Sequence, residues 1–201
     1  MSGEEREKSP PDEPTSDHAG GRIVKTIGHG TRSLAELIDI FRSEGIQRVV
    51  DVRSIPRSRH NPQFNADTLP VALATIGIDY IHMPSLGGLR RPGKDSPNGA
   101  WRNASFRGFA DYMLTEEFSK AMEDLQKMIC LQTVVLMCAE TLPWRCHRSL
   151  IADALTANGQ QVQEILGKGH RQRHNLTPWA HVEEGHVRYP FIDPLTQKPS
   201  S

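Results

Sequence analysis

The sequence has few cysteines, few aromatic residues, no long apolar run and no net charge. Its three cysteines among 201 residues cannot pair completely, which favours a reducing compartment and predicts a cytoplasmic protein. The absence of any run of about 18 apolar residues excludes a membrane-spanning helix, so no membrane partner is expected. The equal numbers of basic and acidic side chains, 24 of each, exclude a protein that coats DNA through overall positive charge.

The neutral total hides an uneven distribution of charge along the chain. Residues 1–21 carry 2 basic and 6 acidic side chains, whereas residues 22–107 carry 13 basic and 7 acidic ones. The first segment also contains several prolines and no apolar stretch, so we predict a disordered tail without a secretory signal. We expect one α/β domain over residues 22–193 and a flexible end over residues 194–201.

Short apolar segments alternate with amphipathic segments over most of the chain. The apolar segments predict five strands, at residues 23–27, 49–52, 78–82, 134–138 and 161–166. The amphipathic segments predict helices at residues 34–44, 68–76, 106–129 and 148–157. This alternation predicts a single Rossmann-like α/β domain with a mainly parallel sheet of about five strands flanked by helices.

Three chemically unusual residues stand at the carboxyl ends of predicted strands. His29 follows the first strand, Arg53 follows the second, and Cys138 ends the fourth. Ligands of open α/β sheets bind outside the carboxyl ends of the strands. The sequence therefore predicts that these three residues belong to one shared site.

The segment between the fourth strand and the following helix carries the strongest signal. Cys146 and His147 stand at the start of the predicted helix, where unpaired amides and the helix dipole favour an anion or a thiolate. Arg145 and Arg148 add positive charge, although both could be ordinary residues at the start of a helix with no role in binding. We predict an anion pocket in which Cys146 is a candidate nucleophile and His147 or His29 its base.

Cys138 and Glu140 are further candidates for the chemistry of this segment. Glu140 would carry a proton or orient an arginine. Cys138 is equally well explained as a small buried core residue, and both interpretations stay open. Six residues separate Cys138 from the first arginine, so the phosphatase pattern of Cys, five residues and Arg is not met.

A loop with three arginines follows the second strand. Arg53, Arg57 and Arg59 would hold a phosphate or carboxylate through paired hydrogen bonds. Phe64, at the end of the same loop, would stack on a base. The alternative is a solvated loop in which Asp51 pairs with one of the arginines.

Two glycine-containing segments are weaker candidates. The Gly-His-Gly turn at residues 28–30 lets a backbone approach a ligand, but it matches neither the dinucleotide fingerprint nor the P-loop. The long loop at residues 86–104 contains Gly87 and Gly88, followed by arginines and Trp101. This composition suits nucleic acid, and it also suits an ordinary surface loop.

The sequence assigns no metal site and no cofactor. Cys138, Cys146 and His147 are residue types that bind zinc, but their spacing matches no structural zinc pattern such as paired Cys-x-x-Cys. Further potential ligands lie downstream, at His170, His174, His181 and His186. Zinc binding therefore stays an alternative interpretation of these residues.

The combination of these motifs resembles the Domain of Unknown Function 488 family. The segments that carry the resemblance are 26–32, 51–59 with Phe64 and Asn65, 86–88, 138–140 and 146–151. Together they cover most of residues 23–166. The resemblance implies a single α/β domain and implies no assigned reaction.

The function that we expect from the sequence is the binding of an anionic, phosphate-bearing ligand. The partner would be a small molecule such as a nucleotide, or a nucleic-acid end, held at the carboxyl edge of the sheet with cysteine-dependent catalysis as a further step. Two alternatives stay open. One is a non-catalytic nucleic-acid-binding module, and the other is a metal-assisted hydrolase.

Overall fold

Six strands form one mixed sheet in the computed structural model of the chain, which describes residues 22–191. The strands are β1 (Val24–Gly28), β2 (Arg48–Asp51), β3 (Asp79–His82), β4 (Val134–Cys138), β5 (Val162–Gly167) and β6 (His170–Arg173). Their spatial order is β3-β2-β4-β1-β5-β6, and β6 alone runs antiparallel to its neighbour within this sheet. The predicted tail at 1–21 and the predicted flexible end at 194–201 lie outside the described residues.

Five α-helices of the described chain cover the two faces of the sheet. They are α1 (Leu34–Ser43), α2 (Leu69–Ala74), α3 (Ala104–Tyr112), α4 (Glu116–Leu131) and α5 (Arg148–Ala157). One core, which includes Phe41, joins α1 and α2 to the sheet, and a second core, which includes Phe109, joins α3, α4 and α5 to the other face. Among residues 22–191, no helix has the length and apolar character needed to cross a membrane.

The predicted α/β fold with a mainly parallel sheet is confirmed, and the structure adds strands that the sequence did not indicate. β6 extends the main sheet, while β7 (His181–Glu183) and β8 (His186–Arg188) form a separate hairpin. All four side chains of β6 are exposed, so its sequence shows no apolar alternation. Backbone pairing with β5 is what makes this segment a strand.

The position of β4 in the sheet creates a crevice at the carboxyl edge. β4 lies between β1 and β2, and all five of its side chains are buried because helices cover both faces. The chain leaves β1 towards α1 on one face and leaves β4 towards α5 on the opposite face. Such diverging connections open a crevice at the carboxyl edge, where α/β proteins bind their ligands.

Candidate functional site

The loops after β1 and β4 approach each other closely at the carboxyl edge. Gly28 pairs with Cys138 in the parallel register, and the backbone N–H of His29 donates to the carbonyl of Cys138 at 2.9 Å. A Cβ atom at position 28 would overlap the backbone oxygen of Glu140, so this approach requires glycine. His29 and Cys138 therefore lie at one edge of the sheet, on neighbouring strands.

The side chain of Arg53 is the centre of a buried hydrogen-bond network after β2. Its guanidinium donates to Asp51, at 2.9 Å from Nε to Oδ1 and 2.5 Å from Nη2 to Oδ2. It also donates to Nε2 of His29 at 3.3 Å and to the backbone oxygen of Phe64 at 2.6 Å. Burial lowers the pKa of Arg53, but the carboxylate of Asp51 outweighs burial and the net shift is upwards. Arg53 is therefore a fixed and charged wall of the site.

His29 is a buried ring held between Arg53 and Phe64. Its Nδ1 donates to the carbonyl of Gly30 at 2.9 Å, and its Nε2 accepts from Arg53. The ring of Phe64 packs against it at a tilt of 33°, with a centroid distance of 4.3 Å. Burial lowers the pKa of His29 and outweighs the opposite effect of the hydrogen bond to Gly30. His29 is therefore neutral, and Arg53 engages its free electron pair.

Cys138, Cys146 and His147 form a compact cluster where β4 ends and α5 begins. Their two sulfur atoms and one imidazole nitrogen all lie within 4.8 Å of one another. The Sγ atom of Cys146 is 3.8 Å from Nδ1 of His147. Both cysteines are reduced and buried, whereas Cys130 is exposed on α4. The eight-residue separation in sequence hides this proximity, which the return of the chain from β4 to α5 creates.

Two carbonyl oxygens fix the orientation of His147. Its Nε2 lies 3.0 Å from the backbone oxygens of both Val52 and Leu86. Because a carbonyl only accepts hydrogen bonds, Nε2 carries a hydrogen, and Nδ1 lies on the side of the sulfur atoms. A Cβ atom at position 88 would overlap the His147 ring, so Gly88 leaves the space that this ring occupies.

The two thiols of the cluster have opposite pKa shifts. A hydrogen bond from the Cys146 thiol lowers the pKa of Cys138 well below its ordinary value and outweighs the effect of burial. The same hydrogen bond, together with burial, raises the pKa of Cys146. Of the two thiols, Cys138 therefore loses its proton more readily, whereas the sequence singled out Cys146 as the candidate nucleophile.

Two adjoining cavities at the carboxyl edge form what we call the edge groove. The thiol lobe has a volume of about 340 Å³ and includes Cys138, Cys146, His147, Gly88, Leu89 and Arg145 in its lining. The histidine lobe has a volume of about 330 Å³ and includes His29, Gly30, Arg57, Ser58 and Asn61. Both lobes share a wall formed by Arg53, Ile55, Ala139 and Glu140. The edge groove therefore brings together residues from the loops after β1, β2 and β4.

Two of the predicted anion-binding arginines are engaged by the protein itself. Arg148 is 1% exposed and donates to the backbone oxygens of Glu140 and Thr141, so it supports the loop after β4. Arg53 is paired with Asp51, as the alternative interpretation of its loop anticipated. Arg148 therefore positions the loop that lines the edge groove, and Arg53 forms part of its wall.

The other predicted arginines are exposed. Arg145 lines the thiol lobe and Arg57 lines the histidine lobe. Within residues 22–191 neither forms an ion pair with a carboxylate. Arg59 is also exposed but is not among the residues that line either lobe. Arg57 and Arg145 are therefore the cations that a ligand in the edge groove would meet.

Two predicted ligand contacts have internal partners instead. Phe64 is fully buried in the core of α1 and α2, where its ring contacts His29 and is shielded from a base. Gly87 packs against Ser54, whose hydroxyl a Cβ atom at position 87 would overlap. In the same loop the guanidinium of Arg90 lies 3.6 Å above the ring of Tyr112. These internal contacts leave fewer exposed groups for a nucleic acid than the sequence indicated.

A second buried polar cluster, which the sequence analysis missed, lies between α5, β5 and the residues after β6. His174 donates from Nδ1 to Glu164 at 2.8 Å and from Nε2 to Asp153 at 2.9 Å. The hydroxyls of Tyr189 and Thr177 also donate to Asp153, at 2.7 and 2.6 Å. Burial lowers the pKa of His174, but the two carboxylates outweigh it and raise the pKa to about 9. We call this set of five residues the His174 cluster.

Comparison with known proteins places the chain in a family. The family described as Domain of unknown function DUF488 matches residues 33–155, which is more than half of the chain. The chain belongs to this family. The DUF488 match includes Arg53 and the three members of the cysteine–histidine cluster, but it begins after His29. No curated protein and no solved structure matches the chain.

Proposed function

We propose that the edge groove binds an anionic ligand with an apolar part, and that the Cys138–Cys146–His147 cluster contacts its reactive end. The observation that carries this proposal is the combination in one lobe of an exposed arginine, Arg145, with the Cys138–Cys146–His147 cluster. An uncharged surface would not select an anion, and a basic surface without the cluster would offer no reactive group.

The charge of the edge groove supports an anionic ligand. Arg53, Arg57 and Arg145 line it, against the single carboxylate of Glu140. Because Asp51 neutralises Arg53 from beneath, the excess positive charge comes from Arg57 and Arg145. Guanidinium groups match phosphate and carboxylate through paired hydrogen bonds. Phosphate and carboxylate are therefore the favoured anionic groups.

Exposed apolar side chains at the mouth of the thiol lobe support an apolar part in the same ligand. Ile55 and Leu89 line this lobe and are 67% and 72% exposed. Trp144, directly before Arg145, is 60% exposed. Ligand pockets combine apolar walls with a few polar groups that fix orientation. A phosphate attached to a ring, as in a nucleotide, has both features.

Binding of phenyl phosphate tests this proposal. We expect titration calorimetry to show binding to the full chain, tighter than binding of inorganic phosphate, because the ring contacts Ile55 and Leu89. Arg145→Gln should weaken the affinity for phenyl phosphate about tenfold or more, since a charge-assisted hydrogen bond contributes about 1.5–3 kcal/mol.

Arg42→Gln is the matched control for this titration. Arg42 is exposed in the last turn of α1, at the opposite edge of the sheet, so its loss should leave the affinity unchanged. Phenol, which lacks the charge, should bind far more weakly than phenyl phosphate. Equal affinities of the Arg145→Gln variant and the unchanged protein would refute the role of Arg145.

A further inference from the structure

We propose that Cys138, Cys146 and His147 are the ligands of a mononuclear zinc site with one coordination position open to the edge groove. This inference rests on the proposed function, because the anionic end of the ligand would occupy the open position. It assigns a chemical role to the three residues that the fold gathers between β4 and α5.

The donor atoms of the cluster suit zinc. Two sulfur atoms and one imidazole nitrogen form a soft set that selects zinc over magnesium or calcium, which prefer oxygen. Among residues 22–191, no carboxylate belongs to this set. Three protein ligands with a vacant fourth position are typical of catalytic zinc, whereas structural zinc has four.

The distances in the cluster fit a tetrahedral ion after small side-chain movements. Zinc bonds of about 2.3 Å to sulfur and 2.0–2.1 Å to nitrogen place ligand atoms about 3.6–3.8 Å apart in a tetrahedron. Sγ of Cys146 and Nδ1 of His147 already lie 3.8 Å apart. The largest separation in the cluster is within 4.8 Å. Side-chain rotations that move the ligand atoms by about 1 Å therefore close the set around an ion.

The hydrogen bonds of His147 are those of a metal ligand. A ligating histidine usually donates its other ring hydrogen to a carbonyl or carboxylate, which fixes the tautomer and the direction of the free electron pair. Nε2 of His147 is engaged in this way by the carbonyls of Val52 and Leu86, which belong to the loops after β2 and β3. Nδ1 is thereby held towards the sulfur atoms before any ion binds.

The location of the cluster leaves one side open. All three residues line the thiol lobe, and Arg145 lines the same lobe. Two thiolates neutralise the charge of a zinc ion, so an anion at the fourth position depends on the nearby arginines for charge balance. The zinc site and Arg145 would therefore hold the anionic end of one ligand together.

Metal analysis of the full chain, purified without an affinity tag, tests the proposal. We expect close to one equivalent of zinc by plasma mass spectrometry after zinc is added and excess removed. Cobalt added to the stripped protein should give the thiolate charge-transfer band and intense visible bands of a tetrahedral site. Bound zinc should protect Cys138 and Cys146 from iodoacetamide and leave Cys130 reactive.

Three variants separate this site from adventitious binding. Cys138→Ser and His147→Gln should each weaken the zinc affinity, measured against a competing chelator. Because each removes a ligand atom, the loss should exceed the roughly 10–100-fold that follows when only a hydrogen-bond partner of a ligand is removed. Cys130→Ser removes the exposed thiol of α4 and should leave zinc affinity and the cobalt spectrum unchanged. Circular dichroism of each variant reports whether the fold is retained.

Each outcome either supports or overturns the zinc site. Zinc below one tenth of an equivalent, a Cys138–Cys146 disulfide in the freshly purified protein, or equal zinc affinity in a folded Cys138→Ser variant would overturn it. Phenyl phosphate should alter the visible cobalt spectrum of the unchanged protein. If metal binds and phenyl phosphate does not, the proposed function fails; if phenyl phosphate binds and zinc stays below one tenth of an equivalent, only the zinc site fails.

Discussion

Replacement of Asp51 by asparagine is expected to lower the free energy of unfolding by about 3–5 kcal/mol, because it leaves a buried guanidinium without a counter-charge. Asp51 is fully buried and accepts hydrogen bonds from the side chain and the backbone N–H of Arg53. It also accepts one from the hydroxyl of Tyr80 at 2.7 Å. An asparagine keeps the size of the side chain and removes its charge.

Asp79→Asn is a matched control in the neighbouring strand. Asp79 also pairs with an arginine, Arg48, at 2.9 Å, but its side chain is 53% exposed. An exposed ion pair contributes at most about 1 kcal/mol. Urea denaturation of both variants should show a much larger loss for Asp51→Asn. Losses of similar size in the two variants would contradict the prediction that the buried pair of Arg53 and Asp51 contributes more to stability than an exposed ion pair.

The second large effect is expected at His174, which the fold holds as a buried cation between two carboxylates. His174→Gln should lower the free energy of unfolding at pH 6 by about 3 kcal/mol or more, because glutamine cannot donate a charge-assisted hydrogen bond to both Glu164 and Asp153. Two carboxylates then remain buried without the cation between them. Denaturation at fixed pH measures the loss.

The pH dependence of this contribution has a definite sign. The pKa of His174 is raised to about 9 in the folded protein, against an ordinary value of 6.5. The folded state thus binds the proton more tightly, and stability falls as pH rises between these values. The contribution, about 3 kcal/mol from the size of the shift, is complete below pH 6.5 and lost as pH passes 9.

His186→Gln is the control for the pH series. His186 is exposed on β8, so its replacement should preserve both the stability at pH 6 and the decrease towards pH 9. In the His174→Gln variant the decrease attributable to His174 should be absent. A pH profile for His174→Gln that runs parallel to that of the unchanged protein would show that His174 is not the group responsible.

The fold was predictable where burial leaves a pattern in the sequence. β4 is apolar at every position because it is covered on both faces, and α1 begins with the capping box of Ser33 and Glu36. β6 was missed because its exposed side chains are all polar, so that only its backbone pairing defines it. Its position beside β5, rather than its local composition, makes this segment a strand.

The candidate site was predictable in its location but not in its internal contacts. Strand ends indicated that His29, Arg53 and Cys138 would lie at one edge, and the register of β1, β2 and β4 places them there. The sequence could not show which arginines would be buried, because Arg145 is exposed at the end of the turn before α5, whereas Arg148, three residues later, begins the helix and points inwards. Nor could it show the His174 cluster, whose carboxylates lie 10 and 21 residues from the histidine.

The place of β4 between β1 and β2 also determines when the protein can complete its fold. β2 pairs with β3, which follows it closely in sequence. Both sheet neighbours of β1 lie far along the chain, in β4 at Val134 and in β5 at Val162. Such long-range pairing slows folding, because loop closure must come before the contacts that stabilise it. β1 therefore has no sheet partner until the chain has reached residue 134. The insertion of β4 joins β1 to β2 and brings Cys138 to His29, so the edge groove exists only once β4 has paired with both strands.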